Sequence, residues 1–128
     1  MFTQSANGGS TFSRPVTLVD VFGGVQFFPA VAFDAAGTIH ASWFDTRNSG
    51  SLQAAAFDIY ATFSSDNGAT FAPNARVTPM LVFAGKSNSF IGDYSGIAAA
   101  GGFAHPVWNN GGFVSLHTHL KTATLTVP

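Results

Sequence analysis

An eight-residue pattern occurs twice in this 128-residue chain and limits what it can fold into. Ser64-Ser65-Asp66-Asn67-Gly68-Ala69-Thr70-Phe71 reads S-x-D-x-G-x-T-F. Ser5-Ala6-Asn7-Gly8-Gly9-Ser10-Thr11-Phe12 reads S-x-N-x-G-x-T-F. The chemistry is that of a tight turn between two strands. Asp66 is a short acceptor that bonds backbone N–H groups ahead of it, as Asx-turns do. Asn7 keeps that acceptor oxygen. Gly68 and Gly9 supply the backbone conformation that a side chain resists. Thr70-Phe71 and Thr11-Phe12 then enter a strand with an aromatic to bury.

The rest of the chain reads as strands and turns. Ser13 to Val19 predicts a strand, with Pro15 at an edge or entry position. Phe27 to Asp34 and Thr38 to Asp45 predict a hairpin turning at Gly37. Phe57 to Ser64 alternates with period two, and the Asp66 turn leads it into a fourth strand, Thr70 to Thr78. These four strands form an antiparallel meander. Pro79 to Asn88 reads as a longer loop. The pattern then restarts: Ile97 to Ala100, a turn at Gly101-Gly102, and Phe103 to Trp108. The tail from Phe113 to Val127 supplies a third strand and room for a fourth. Trp43 and Trp108 both fall near the end of the second strand of their unit. No helix is expected.

Composition narrows the function classes. Hydrophobic residues make up 46% of the chain, 14 of them Phe, while charged residues make up only 9%. Soluble domains usually carry about 25% charge. The shortfall suggests that part of the surface is covered by a partner subunit or by further chain. Net charge is −1, and the five Lys and Arg are scattered singly. This argues against nucleic acid or an anionic membrane as the main partner. There is no Cys, hence no disulfide framework and no thiolate metal site. No stretch of apolar residues is long enough for a membrane helix. Met1-Phe2-Thr3-Gln4 lacks the basic and apolar regions of a signal peptide, which suggests a mature segment or a cut from a longer chain.

The paired turns resemble the Asp-box, or BNR repeat, of sialidase-like β-propellers. Phe28 to Asp34, Gly37 to His40, Trp43 to Arg47 and Asp58-Ile59-Tyr60, followed by Ser64 to Phe71, look like one repeat of that family. Phe90 to Gly96 with Val107-Trp108 looks like the next. The resemblance implies an all-β fold of four-stranded propeller blades. Residues 1–20 would be the last strand of one blade, 25–78 a complete blade, and 88–128 most of a further blade. Two blades do not close a ring. The expected assembly is therefore a homotrimer forming a six-bladed ring, or a longer propeller chain. The resemblance also implies an extracellular or periplasmic location and contact with a glycan, with no cofactor. In the Asp-box the residues Ser5, Asn7, Gly9, Thr11 and Phe12, and Ser64, Asp66, Gly68, Thr70 and Phe71, have a structural role.

Catalytic sialidases use three arginines, an acid/base Asp, and a Tyr activated by Glu. This chain has no Glu, and its arginines are Arg14, Arg47 and Arg76. Its second Trp-x-Asp-x-Arg segment is degraded to Trp108-Asn109-Asn110-Gly111. No catalytic residue is assigned. Four residues are candidate ligand contacts. Asp45 and Arg47 lie two apart after a strand. They are either a substrate-facing pair, suited to carboxylate or sugar hydroxyls by the planar guanidinium fork, or a loop-ordering salt bridge. Asp93 and Tyr94 lie between Gly92 and Gly96, where the backbone can approach a ligand or another strand. Asp66 alone falls short of the oxygen set calcium needs. His117 and His119 share a strand face with Ser115 and Lys121 and read as solvated, so no metal site is assigned. His40 and His105 hold similar places in the two units. Trp43 and Trp108 read as core.

Three functions remain in view: a non-catalytic propeller module that contacts glycans, a glycoside hydrolase whose site forms only in the full or assembled propeller, and a structural scaffold.

Overall fold

A computed structural model describes residues 1–50, 56–83, 94–111 and 118–127, with the Thr118 side chain left out. Among these residues there is no helix. Nine strands form one antiparallel sheet: β1 (Gln26–Phe33), β2 (Ile39–Asp45), β3 (Ala56–Ser64), β4 (Ala75–Arg76), β5 (Val82–Phe83), β6 (Gly96–Ala100), β7 (Phe103–Gly111), β8 (Thr118–Thr122) and β9 (Leu125–Thr126).

The first half of the sheet is the meander β1-β2-β3-β4. Its hairpin turn is set by Asp34, whose Oδ1 accepts the N–H groups of Ala36 and Thr38, both at 2.9 Å. Gly37 follows with φ of 86°. The β1 strand bulges between Phe27 and Ala30, where Phe28 takes a φ of 49°. Such a backbone is rare for a bulky residue, and the Phe28 carbonyl is held by the Ser95 hydroxyl at 2.9 Å.

The second half is β6-β7 with β8 and β9 on the far side of β7. Val107 faces Thr122 and Phe103 faces Thr126 in one unbroken register. β8 and β9 are thus one third strand interrupted at Ala123-Thr124, and no fourth strand follows among the described residues. β5 joins the halves by pairing with both β3 and β7, and β6 packs along β1.

The halves meet face on face. Directly opposed residues of neighbouring strands share a face. Phe44, Ile59 and Phe57 project from one face of the first half and bury against Trp108 and Val82. Phe27 and Phe28 border that cluster, with the Phe44 and Phe57 ring centroids 4.7 Å apart. The other face of the first half carries Ala41, Trp43 and Tyr60, which pack on Leu18 and Val19. Residues 1–20 therefore form a third layer.

The two S-x-[DN]-x-G-x-T-F turns have the same internal wiring. Ser64 Oγ donates to Asp66 Oδ1 at 2.7 Å and accepts from the Gly68 N–H at 2.8 Å. Ser5 Oγ does the same with Asn7 Oδ1 at 2.9 Å and the Gly9 N–H at 2.8 Å. The Thr70 and Thr11 N–H groups donate to Asp66 Oδ1 and Asn7 Oδ1, both at 2.9 Å. One bond reverses polarity. The Thr70 hydroxyl donates to Asp66 Oδ2 at 2.5 Å, whereas Asn7 Nδ2 donates to the Thr11 hydroxyl at 2.9 Å. The left-handed pairs Gly8-Gly9 and Asn67-Gly68 occupy matching positions.

The likeness extends beyond the eight residues. The Phe2–Val16 bridge is the Ala61–Ala75 pair at the same offset that separates Ser5 from Ser64. Thr3 donates its hydroxyl to the Ser13 carbonyl at 3.0 Å, as Thr62 does to the Ala72 carbonyl at 2.6 Å.

Three expected elements differ. The strand over Thr70 to Thr78 shrinks to Ala75–Arg76, because Pro73 has no N–H and Asn74 is tied to Asp20 instead of the ladder. The strand over Ser13 to Val19 is reduced to the Val16 bridge, beside Pro15. Within the expected loop from Pro79 to Asn88, Val82 is buried and Val82–Phe83 form β5.

Candidate functional site

The polar chemistry of the first half gathers at the loop following β2. Asp45 ends β2 and is fully buried, while the Arg47 side chain is 8% exposed. Arg47 Nε and Nη2 both donate to Asp45 Oδ2, at 2.9 and 2.8 Å, and its backbone N–H donates to Oδ1 at 2.8 Å. Nη1 donates to Asp20 at 3.0 Å and Nη2 to the Asn74 side-chain carbonyl at 3.1 Å. The guanidinium carbon lies 4.0 Å from the centre of the Tyr60 ring, within the range of a cation–π contact. Trp43 Nε1 completes the set, donating to Asp45 Oδ2 at 3.0 Å.

Burial alone would raise the Asp45 carboxyl, but the Arg47 and Trp43 donors hold it below the usual carboxylate range. Burial likewise opposes the charge on Arg47, and its bonds to Asp45 and Asp20 override that and raise its pKa. The Asn74 N–H, ahead of Arg47, keeps Asp20 below its ordinary value.

A second network lies beside the first on the same face. Asp58, fully buried on β3, accepts from Thr78 Oγ1 at 2.6 Å and Arg76 Nη2 at 2.8 Å through Oδ1. Its Oδ2 accepts from Asn48 Nδ2 at 2.6 Å. Asn48 also donates to the Tyr60 hydroxyl at 3.0 Å, which couples the two networks. Sequence reasoning missed Asp58, Arg76, Thr78 and Asn48 as a group. The usable signal was the alternation of β3, which puts Asp58 on the Tyr60 side.

The remaining described aspartates are also engaged. Asp34 accepts its two turn N–H groups and lies 3.4 Å from His40 Nε2, with both side chains 3% exposed. Asp66 is held by Ser64 and Thr70. The structure thus brings Asp45 and Arg47 together and surrounds them with chain. Tyr94 is 85% exposed. Asp93 lies outside the described residues, as does His117. His119 is exposed. Among the described residues no group of three or more His, Cys, Asp or Glu could hold a metal ion.

The second half repeats the tryptophan without its acceptor. Trp108 faces Lys121 across the ladder, as Trp43 faces Tyr60. Trp43 has Asp45 two residues on, and Trp108 has Asn110. The buried Trp108 Nε1 has no hydrogen-bond partner among the described residues. Beside it is a hollow of about 510 Å³ lined by Val77 to Phe83, Trp108, Asn110, Gly111 and Lys121 to Ala123. The hollow is mostly apolar, and the Asn110 amide and Lys121 ammonium are the polar donors among its lining side chains besides the Thr78 and Thr122 hydroxyls. That set suits an acceptor-rich group.

Comparison of the sequence with protein-family models and with curated proteins returned no match.

Proposed function

We propose that the chain is a non-catalytic module of Asp-box propeller blades, sialidase-like in architecture, that contacts glycans. The blade reading is supported by the matched wiring of the two turns and by the β1–β4 meander with three strands of a second unit packed on it. Residues 1–20 match the end of such a unit, residues 25–78 a full one, and β6 to β9 three strands of the next.

The observation that carries the non-catalytic reading is the closure of Arg47 on Asp45, Asp20 and Asn74. A guanidinium with these bonds, stacked on Tyr60, has little left for a substrate carboxylate. Sialidase chemistry, in which a Tyr is the nucleophile, also needs an acid/base Asp free to act on the sugar. Each described aspartate is instead bonded within the chain. Glycan contact is assigned to the hollow beside Trp108, where Asn110 and Lys121 offer donors to sugar oxygens over a mostly apolar lining.

The test pairs two assays. The chain is incubated with aryl-glycosides, a sialoside among them, and is applied to a glycan array. The account expects no sugar release, and retention on the array that Lys121→Ala weakens. Sugar release that is lost in Arg47→Ala or Asp93→Asn would overturn the non-catalytic reading. Retention that is insensitive to Asn110→Ala and Lys121→Ala would remove the hollow as the site.

A further inference from the structure

The two halves of the sheet carry a His and a Trp at matching positions. His40-Ala41-Ser42-Trp43 and His105-Pro106-Val107-Trp108 occupy β2 and β7. Ala32 faces His40 and Ala98 faces His105 on the preceding strand. Each unit therefore has a Trp face and a His face. The Trp43 face lies against Leu18 and Val19, and the Trp108 face lies against Phe44, Phe57 and Ile59. In both cases the Trp face meets the layer before it in the chain.

The His faces differ. His40 is 2% exposed and borders a crevice shared with Ile97, Ala104 and Leu125 of the second half. His105 is exposed, and around it the same face leaves Phe103 44%, Val107 39% and Leu120 71% exposed. The second half covers the His40 face, and nothing among the described residues covers the His105 face. By the repeat, what belongs there is a Trp face.

The chain holds a partly open Trp face at its other end. Val31 faces Ala41 and Phe33 faces Ile39, which places both on the Trp43 side. They are 53% and 58% exposed, because Leu18 and Val19 cover only the Trp43–Tyr60 part. One end of the stack thus presents an apolar surface of the kind that the other end lacks. Neither Val31 and Phe33 nor Phe103, Val107 and Leu120 bring a charge to it.

We propose that a second copy of this chain docks its Val31–Phe33 surface on the His105–Val107 face, head to tail. The proposal rests on the blade reading above. Such a contact joins different patches of the two copies, so it repeats until it closes into a ring. Two units per chain make three copies the expected closed form.

The test measures solution mass by light scattering on a sizing column for the chain, for Val107→Arg, for Phe33→Arg, and for the two variants mixed. Circular dichroism checks that each variant folds. Should Val107→Arg unfold the chain, Leu120→Arg on the same face replaces it. The wild-type chain is expected at three times 13.3 kDa and each variant at 13.3 kDa. The mixture is expected to form a species of one copy of each, since each variant keeps the surface the other has lost. A monomeric wild type, an assembly that neither substitution disperses, or a mixture that stays monomeric would overturn the proposal. Those results would leave the non-catalytic glycan-module reading standing, because sugar release and array retention test that reading separately.

Discussion

Trp43 donates its indole N–H to Asp45 at 3.0 Å, whereas Trp108, at the matching position of the second unit, is buried with no acceptor for the same group among the described residues. The two tryptophans should therefore respond differently to Trp→Phe. At residue 43 the substitution leaves a buried carboxylate short of a donor and removes a charge-assisted bond, a loss of about 2 kcal/mol. At residue 108 it removes a buried donor with no acceptor among the described residues, which offsets the lost ring volume. Urea unfolding of both variants is the check. Trp43→Phe is expected to be the more destabilising.

Asp45 and Arg47 form an almost fully desolvated pair. Removing Asp45 leaves the buried Arg47 charge with only the partly exposed Asp20 as its counter-ion. Asp45→Ala should cost about 3 kcal/mol, in the range for broken buried ion pairs. Arg76→Ala should cost less. The Arg76 side chain is 38% exposed, and Asp58 keeps Thr78 and Asn48 as donors. Denaturant midpoints of the two variants test the order.

Asp66 links the turn to pH. The Thr70 hydroxyl, then the Thr70 N–H and the Ser64 hydroxyl, lower its carboxyl from 3.8 to about 2. A pKa lowered on folding gives stability that is present above the unfolded value and is lost as pH falls through the folded value. This contribution therefore fades between about pH 4 and pH 2, and Asp20 and Asp45 act with the same sign. Asp66→Asn should keep the turn, since Asn7 makes it in the first copy, and should flatten the loss of stability between pH 4 and pH 2. Asp66→Ala should destabilise the chain at neutral pH. Thermal melts across that range separate the two.

Gly9 and Gly68 hold the same left-handed position, with φ of 89° and 78°. A Cβ at Gly9 would meet nothing within 4 Å, whereas one at Gly68 would lie 2.6 Å from Phe2 Cε1 and 3.3 Å from Ile39 Cδ1. Gly9→Ala should cost about 1 kcal/mol of backbone strain. Gly68→Ala adds overpacking and should cost about 2 to 3 kcal/mol. Equal losses would contradict the packing of Phe2 on the second turn.

How much of this was legible in the sequence depends on how local the cause is. The turns were legible because Ser, Asp or Asn, Gly and Thr bond within eight residues. The hairpin from β1 to β2 and the alternation of β3 were legible for the same reason. The shortening of β4 was not, because it depends on Asn74 meeting Asp20 across 54 positions. The threonines Thr3 and Thr62 extend the repeat by two residues, a signal present in the sequence but passed over. The Asp45–Arg47 pair was visible as a spacing. Its closure was not, since Asp20 reaches Arg47 through the packing of residues 1–20 on the first half, and Tyr60 and Asn74 reach it through the pairing of β2, β3 and β4. The Asp58 network depends on Tyr60 and Arg76 facing each other across β3 and β4, a register that composition and period do not set.

The equivalence of the two turns is the foundation of the account, and exchanging them tests it most directly. Ser65→Ala, Asp66→Asn, Asn67→Gly and Ala69→Ser together write the first turn into the place of the second. If both are one structural unit, the exchanged chain should unfold cooperatively, with a stability at pH 7 within about 1 kcal/mol of the parent by urea titration. Its Thr70 amide should stay as protected from exchange as in the parent. A broadened transition with an unprotected Thr70 amide would contradict the account, because the turns would then share letters and not a structure.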